Sequence, residues 1–288
     1  MTSRSSTTSS PASERVFRPE ALFIISGVSQ YLGAAIAVNL FDEVGPVTVA
    51  WFRILGGAVA LGLVASTRRS RRWTRAELGA AAIFGVATAA MNTFFYLGID
   101  RMPLGTGVTI EFIGPIAVAA ARTRTTRNGV ALGCAALGVA VLSGLGVDDP
   151  LGVVFILAAS AMWAAYIVVG AHVARLDRGL SGLAVGLGIA AVAFVPIGAP
   201  GSGPVWGSPS LLLACGAVGI LSSAVGYGID QHVLRRIPVR RFSVLLALLP
   251  VTATIMGAIT LGQIPGVVDA IGIALVITGA MMQSRETL

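Results

Sequence analysis

The sequence predicts an all-α integral membrane protein of ten transmembrane helices, built as two five-helix repeats of inverted topology with both termini cytoplasmic. Three observations predict it. Hydrophobic residues make up 55% of the chain and charged residues only 11%, a balance too apolar for a soluble protein of 288 residues. The apolar residues fall into ten segments, each near the roughly 20 residues that a helix needs to cross the hydrocarbon core. The basic residues also segregate: apart from Arg53 and Arg101, each lies in a tail or connection that a ten-span path puts on one side.

Residues 1–19, rich in Ser and Thr, contain no apolar core of the kind a signal peptide carries, so a disordered cytoplasmic tail is expected. The first repeat, residues 20–147, holds five spans. Ala21 to Phe41 has Gln30 near its middle, and Val44 to Ser66 encloses Arg53. Leu78 to Ile99 places Thr88, Asn92 and Tyr96 at helical spacing, Leu104 to Ala121 carries Glu111 and Pro115, and Gly129 to Val147 closes the repeat. The second repeat, residues 148–284, begins with Leu151 to Ala171, where Ser160, Trp163 and Tyr166 form one stripe. Ser181 to Ala199, Leu211 to Ile229 with Ser223 and Tyr227, Phe242 to Leu261 with Pro250, and Gly266 to Met282 complete it. The connections are too short for an extramembrane domain. The 36 glycines suit helices packed closely in lipid, where small residues let backbones approach.

All 20 basic residues are arginine. On the ten-span path one face collects Arg4, Arg15 and Arg18, then Arg68, Arg69, Arg71, Arg72 and Arg75, then Arg122, Arg124 and Arg127. Arg175, Arg178, Arg235, Arg236, Arg240, Arg241 and Arg285 join them. The opposite face has Arg101 with Asp42, Glu43, Asp100, Asp148, Asp149 and Asp269. By the positive-inside rule the arginine face is cytoplasmic. A nucleic-acid surface would instead gather its charge on one folded patch, so the pI of about 10.6 records membrane orientation and no nucleic-acid partner is expected. The bilayer itself is the expected surrounding partner, and a multi-pass place in the cell membrane the expected location.

The two halves echo each other. Pro103 and Pro115 recur at one constant offset as Pro238 and Pro250, and Gly98-Ile99-Asp100 recurs as Gly228-Ile229-Asp230. Five spans per copy is an odd number, so the second copy enters from the opposite side, which is the inverted repeat of many secondary transporters. Pro115 has no N–H to offer the carbonyl of Glu111, and Pro250 none for Leu246, so both are expected helix breaks. Such breaks free carbonyls at the depth where transporters contact their substrates, although a proline kink also serves plain packing.

Arg53 and Glu111 are charges well inside apolar segments. An ion at the bilayer centre costs roughly 2.5–3.5 kcal/mol even on lenient insertion scales, so such residues face a protein interior or a water-filled path. Counted from Val44 and Leu104, they lie about 14 and 10 Å deep at about 1.5 Å per residue, and are expected to reach one another. Gly56, Gly57 and Ala60 follow Arg53, and Gly107, Gly114 and Pro115 border Glu111, leaving room either for a ligand or for a close helix. The alternative to a working site is an ion pair that pins two helices, although buried pairs seldom recover their desolvation. The polar stripes equally suit hydrogen bonds between helices. Trp163, halfway along its span, is unusual because membrane tryptophans favour the interface. Asp230, near Arg235 at the cytoplasmic end of its span, is ambiguous, and reaching toward the headgroups is one reading of it.

Cys134 and Cys215 lie in apolar segments as small hydrophobes, so neither a disulfide nor a metal site is expected. His172 and His232 fall at loop ends, and no second acid accompanies Glu111, which argues against an intramembrane enzyme. There is no phosphate-binding loop, so ATP is not the expected energy source and no cofactor is predicted. Nothing in the sequence sets an oligomeric state.

From about Glu20 to the C-terminus the chain resembles the drug/metabolite transporter superfamily, specifically its ten-span EamA-type exporters. The resemblance rests on Met91-Asn92 with Phe95-Tyr96-Leu97, Glu111-Phe112 with Gly114-Pro115, and Trp163-Ala164 with Tyr166. Leu234 to Phe242 with its Arg-Ile-Pro core, and Arg53 with Leu55 and Gly56, match as well. Two positions depart from the pattern: Leu249 and Gln263 stand where the family often has glutamate. The resemblance implies a secondary transporter that exports small metabolites, foremost amino acids such as threonine and homoserine, in exchange for protons. In that reading Arg53 binds the substrate carboxylate and Glu111 receives its ammonium or the counter-proton. Asn92, Tyr96, Trp163, Tyr166 and Tyr227 line the cavity. The alternative within transport is efflux of hydrophobic drugs or purine-like metabolites through a mostly apolar cavity.

Overall fold

The computed structural model describes residues 19–66, 72–122, 125–145, 149–173, 179–234 and 248–283. Among them all regular structure is helical. Helix α1 (Pro19–Val38) leads through the one-turn α2 (Phe41–Val44) into α3 (Pro46–Ser66). The corner is Gly45, whose φ of 78° and ψ of 147° belong to a region that only glycine occupies comfortably. Helix α4 (Arg75–Ile99) opens on a capping box. The Glu77 N–H donates to the Thr74 hydroxyl at 3.2 Å, and the Thr74 N–H donates to the Glu77 carboxylate at 2.9 Å. Two end-of-helix donors are thereby satisfied.

The fourth apolar segment is split into α5 (Leu104–Glu111) and α6 (Ile113–Arg122). The break at Phe112 comes three residues before Pro115, where the proline leaves the Glu111 carbonyl without its helical donor. Helices α7 (Thr126–Leu145), α8 (Pro150–Val173) and α9 (Gly179–Ala193) follow. The seventh segment then bends at Phe194 into α10 (Val195–Gly198), because Pro196 cannot continue the ladder of α9. A short 3-10 turn and α11 (Gly203–Gly207) lead to α12 (Pro209–Val218). A π segment (Gly219–Gly226) joins α12 to α13 (Tyr227–Leu234), so the eighth apolar segment is not one uniform rod. Helices α14 (Leu249–Leu261) and α15 (Val267–Gln283) complete the described chain.

Five of these stretches are long and apolar enough to cross a membrane: Ala21–Val38, Pro46–Ser66, Arg75–Ile99, Pro150–Val169 and Pro209–Asp230. Five further apolar helices are shorter: Leu104–Val118, Thr126–Leu142, Leu180–Ala193, Leu249–Leu261 and Val267–Met282. Each apolar segment of the sequence therefore holds one of them. Most of the arginines on which the sidedness rests, both chain ends, Pro238, and the start of the ninth segment lie outside the described residues.

The surface is apolar, with Leu63 67%, Val192 73%, Leu213 75% and Ile259 75% exposed. Exposure of that kind suits hydrocarbon rather than water. Inside, glycine sets the helix spacing. A Cβ on Gly57 would stand 2.5 Å from the Ser223 Cβ, and one on Gly56 would stand 3.1 Å from the Gly219 Cα. The π segment is thus pressed against α3, while the Ser29 hydroxyl donates to Leu221 O at 2.8 Å and the Ser222 hydroxyl to Gln30 O at 3.1 Å, tying it to α1. Gly107 and Gly114 are filled in the same way, by Ile99 and by the backbone of Ser160. The small residues beside Arg53 and Glu111 therefore admit neighbouring helices.

Candidate functional site

Arg53 sits on α3 at 5% exposure, enclosed by α4 and α13. Its Nη2 donates to the Tyr227 hydroxyl at 3.3 Å, and that hydroxyl donates to Asn92 Oδ1 at 3.3 Å. Asn92 and Tyr96 are four apart on α4 and so share a helix face. The guanidinium carbon lies 5.3 Å from the Tyr96 ring centre and 5.9 Å from that of Tyr227, a cation held against two π faces.

The cluster is incompletely satisfied. Arg53 Nε, Asn92 Nδ2 and Ser223 Oγ are buried and have no protein hydrogen-bond partner, while the Tyr96 hydroxyl lies near the Arg53 guanidinium and Ser222 without a well-aligned bond to either. Buried polar atoms in native proteins are nearly always paired, so these atoms retain unused hydrogen-bonding capacity.

Glu111 is the last residue of α5 and is 8% exposed. No hydrogen bond or ion pair joins it to Arg53, although each lies within electrostatic reach of the other. The guanidinium is already engaged by Tyr227 and Tyr96. Tyr31 on α1, which the sequence reading missed, lies within electrostatic reach of Glu111, Arg53, Tyr227 and Asp230. Its signal was slight: a polar run, Ser29-Gln30-Tyr31, in an otherwise apolar segment.

Trp163 and Tyr166 lie on α8 and take aromatic partners. Trp163 packs edge-on against Phe112 with centroids 5.4 Å apart, and Tyr166 lies 4.7 Å from Phe84. Trp163 therefore touches the break beside Glu111. Pro115 stands in the first turn of α6, and Pro250 in the first turn of α14, while the Leu246 carbonyl lies outside the described residues.

Three further placements settle an open reading or explain a departure. Asp230 turns inward, accepting from the Ser26 hydroxyl at 2.6 Å and from Gln30 Nε2 at 3.1 Å, so it does not reach for headgroups. Gln263 Oε1 accepts the Leu104 N–H at 2.9 Å and caps α5, a task that needs only an acceptor. Leu249 is 7% exposed and faces Gly27 of α1. An apolar groove of about 290 Å³ runs between α3 and α9, lined by Trp51, Leu55, Ala58 and Val192 among others, and no charged side chain lines it.

Comparison with known proteins adds to this geometry. The model of the EamA-like transporter family matches residues 150–285. The chain is similar to the threonine/homoserine exporter RhtA of Salmonella typhimurium strain LT2, with 34% identity over 271 residues, 92% of this chain and 91% of that protein. The same figures hold for the threonine/homoserine exporter RhtA of Escherichia coli strain K12. A solved crystal structure, 18% identical, superposes with a TM-score of 0.58 over 91% of this chain and 95% of the other, a likeness of fold.

Proposed function

Because the chain belongs to the EamA-like transporter family, whose members carry solutes across membranes, we propose that it exports small amino acids of the threonine and homoserine type in exchange for protons. It is a multi-pass membrane protein. The proposal takes the ten apolar helices as ten spans, with residues 20–147 and 148–284 as inverted repeats and both termini in the cytoplasm.

The observation that carries the reading is the unpaired Nε of Arg53, together with the unpaired Asn92 Nδ2 and Ser223 hydroxyl. An α-carboxylate matches that set, since its two oxygens accept from a guanidinium fork and from neighbouring donors at once. A cavity for neutral hydrophobic drugs would not need a buried cation. In the proposed cycle Arg53 binds the substrate carboxylate, and Asn92, Tyr96 and Tyr227 orient it. Glu111 takes the ammonium or the counter-proton in turn, so that one occupant excludes the other. Trp163 and Tyr166 close the wall of the cavity on the α8 side.

Inside-out vesicles that contain the purified protein test this. Labelled threonine should accumulate when the lumen is acid, and unlabelled homoserine should compete. Accumulation that ignores the proton gradient removes the antiport. Accumulation of hydrophobic dyes or purines in place of amino acids favours the drug or purine reading.

A further inference from the structure

Away from Arg53, α1 meets the eighth apolar segment through a second polar cluster. Ser26, fully buried, and Gln30 stand one turn apart on α1, and Gly226 and Asp230 stand one turn apart opposite them. Gly226 makes the approach possible, because a Cβ there would collide with the Gln30 side chain. The Ser26 hydroxyl lies 2.6 Å from Asp230 Oδ1 and 3.0 Å from Gly226 O. Gln30 Nε2 lies 3.1 Å from both Ser26 Oγ and Asp230 Oδ2.

The hydrogens can be counted. A serine hydroxyl has one hydrogen and two lone pairs, and an amide nitrogen has two hydrogens. Gln30 gives one hydrogen to Asp230 and one to Ser26. That leaves a single Ser26 hydrogen facing two oxygens. If Asp230 is ionised, the hydrogen goes to Oδ1 and Gly226 O keeps only its helical bond. If Asp230 is protonated, its own O–H donates to Ser26 Oγ, and the Ser26 hydrogen turns to Gly226 O. Every short contact is then satisfied. One hydroxyl rotation therefore serves the carboxyl in either state, with Gln30 unmoved.

The surroundings favour exchange over a fixed charge. No basic side chain pairs with Asp230 among the described residues. Of the elements packed on α13, α1 contributes Glu20 and Tyr31 as titratable residues and α3 contributes Arg53, which bonds Tyr227 rather than Asp230, while the π segment and α9 contribute none. Its own helix adds Tyr227 and His232. An ion without a counter-ion at the edge of an apolar helix is costly, and taking up a proton removes the cost.

We propose that Asp230 is a second proton-exchange site of the transporter, held by Ser26 and Gln30 in both of its protonation states. The inference rests on the transporter reading above for its biological use, but its test does not. Infrared difference spectra of the protein in lipid, acid minus alkaline, should contain a carboxylic-acid carbonyl band from Asp230. D230N should abolish it, E111Q should retain it, and S26A, which removes the hydroxyl but keeps the carboxyl, should move its frequency. A D230N spectrum identical to that of the wild type overturns the proposal. If D230N fails to fold, S26A and Q30A decide, and a wild-type spectrum in both overturns it equally. The spectra need no substrate, so a chain that moves no amino acid can still carry the band, and an active exporter can lack it.

Discussion

The Tyr227 hydroxyl bridges Arg53 and Asn92, accepting from Nη2 at 3.3 Å and donating to Oδ1 at 3.3 Å. One side chain from the eighth apolar segment thereby fixes a cation on α3 and an amide on α4. Tyr227→Phe strands two buried polar groups, a loss of about 1–3 kcal/mol in stability. Thermal unfolding in detergent should register it, and threonine export in vesicles should fall at least about tenfold, the equivalent of 1.4 kcal/mol. Arg53→Lys should fold and yet fail to export, because an ammonium lacks the planar fork. Export at the wild-type rate in either variant removes the bridge from the binding site.

Arg53 and Glu111 form no hydrogen bond with each other, yet each lies within electrostatic reach of the other, so their contributions to stability should be coupled. In a double-mutant cycle of Arg53→Met and Glu111→Leu, the coupling should exceed about 0.5 kcal/mol. Glu111→Gln should leave a folded protein whose export no longer responds to a proton gradient. Recovery of export in the double variant would mean that the two charges serve packing alone, and the assignment of the site would fall.

The fold was legible because hydrocarbon imposes a crude and strong rule, a run of about 20 apolar residues per span. All ten apolar segments hold a helix. Within a segment the rule is blind: hydropathy does not distinguish an α turn from the π turns of Gly219–Gly226, nor does it register the close approach of Gly57 to Ser223. The grouping of Arg53 with Asn92, Tyr96 and Tyr227 was legible only through the family resemblance, because spacing shows polar residues one turn apart within a span and not which spans meet. The missing Arg53–Glu111 contact was not, since depth along two helices fixes neither their rotation nor which tyrosine intervenes. Asp230 stayed ambiguous in the sequence for a related reason. Its sequence neighbour Arg235 was visible, whereas Ser26 and Gln30 come near only after folding.

The proposed orientation is testable with single cysteines in a background that lacks Cys134 and Cys215. Labels at Ser70, Thr126 and Ser284 should react only from the cytoplasm, and those at Asp149 and Ser202 only from outside. One site reacting from the wrong side breaks the ten-span path.

Arg101 donates to Asp149 at 2.7 Å in the connection before α8, and the Leu151 N–H adds a further donor at 2.9 Å. These donors hold the Asp149 carboxyl below its ordinary range. A depressed folded-state value means stability that is present above the unfolded carboxylate pKa and lost as pH falls through the folded one. The thermal midpoint of the wild type should exceed that of Asp149→Asn at neutral pH, and the two should converge in acid. Both side chains are about one-third exposed, so the gap should be small and should shrink with salt. A gap that persists unchanged at the lowest pH assigns the effect to packing.

Gln263 tests whether the departure from the family's glutamate is chemically silent. Its Oε1 accepts the Leu104 N–H at the start of α5, the helix that ends on Glu111, so the cap sets where that carboxyl stands. An acceptor is all the position requires, and Gln263→Glu should keep both stability and export, with a slight gain from a negative charge at a helix N-terminus. Gln263→Ala removes the acceptor and should cost about 1 kcal/mol, the usual worth of an N-terminal cap. Because α5 carries Glu111, that variant should also shift the pH at which export is half-maximal, whereas the Arg53-dependent affinity for threonine should hold. If Gln263→Glu abolishes export while Gln263→Ala spares it, charge rather than capping governs the position, and Gln263 in this chain is a change of mechanism.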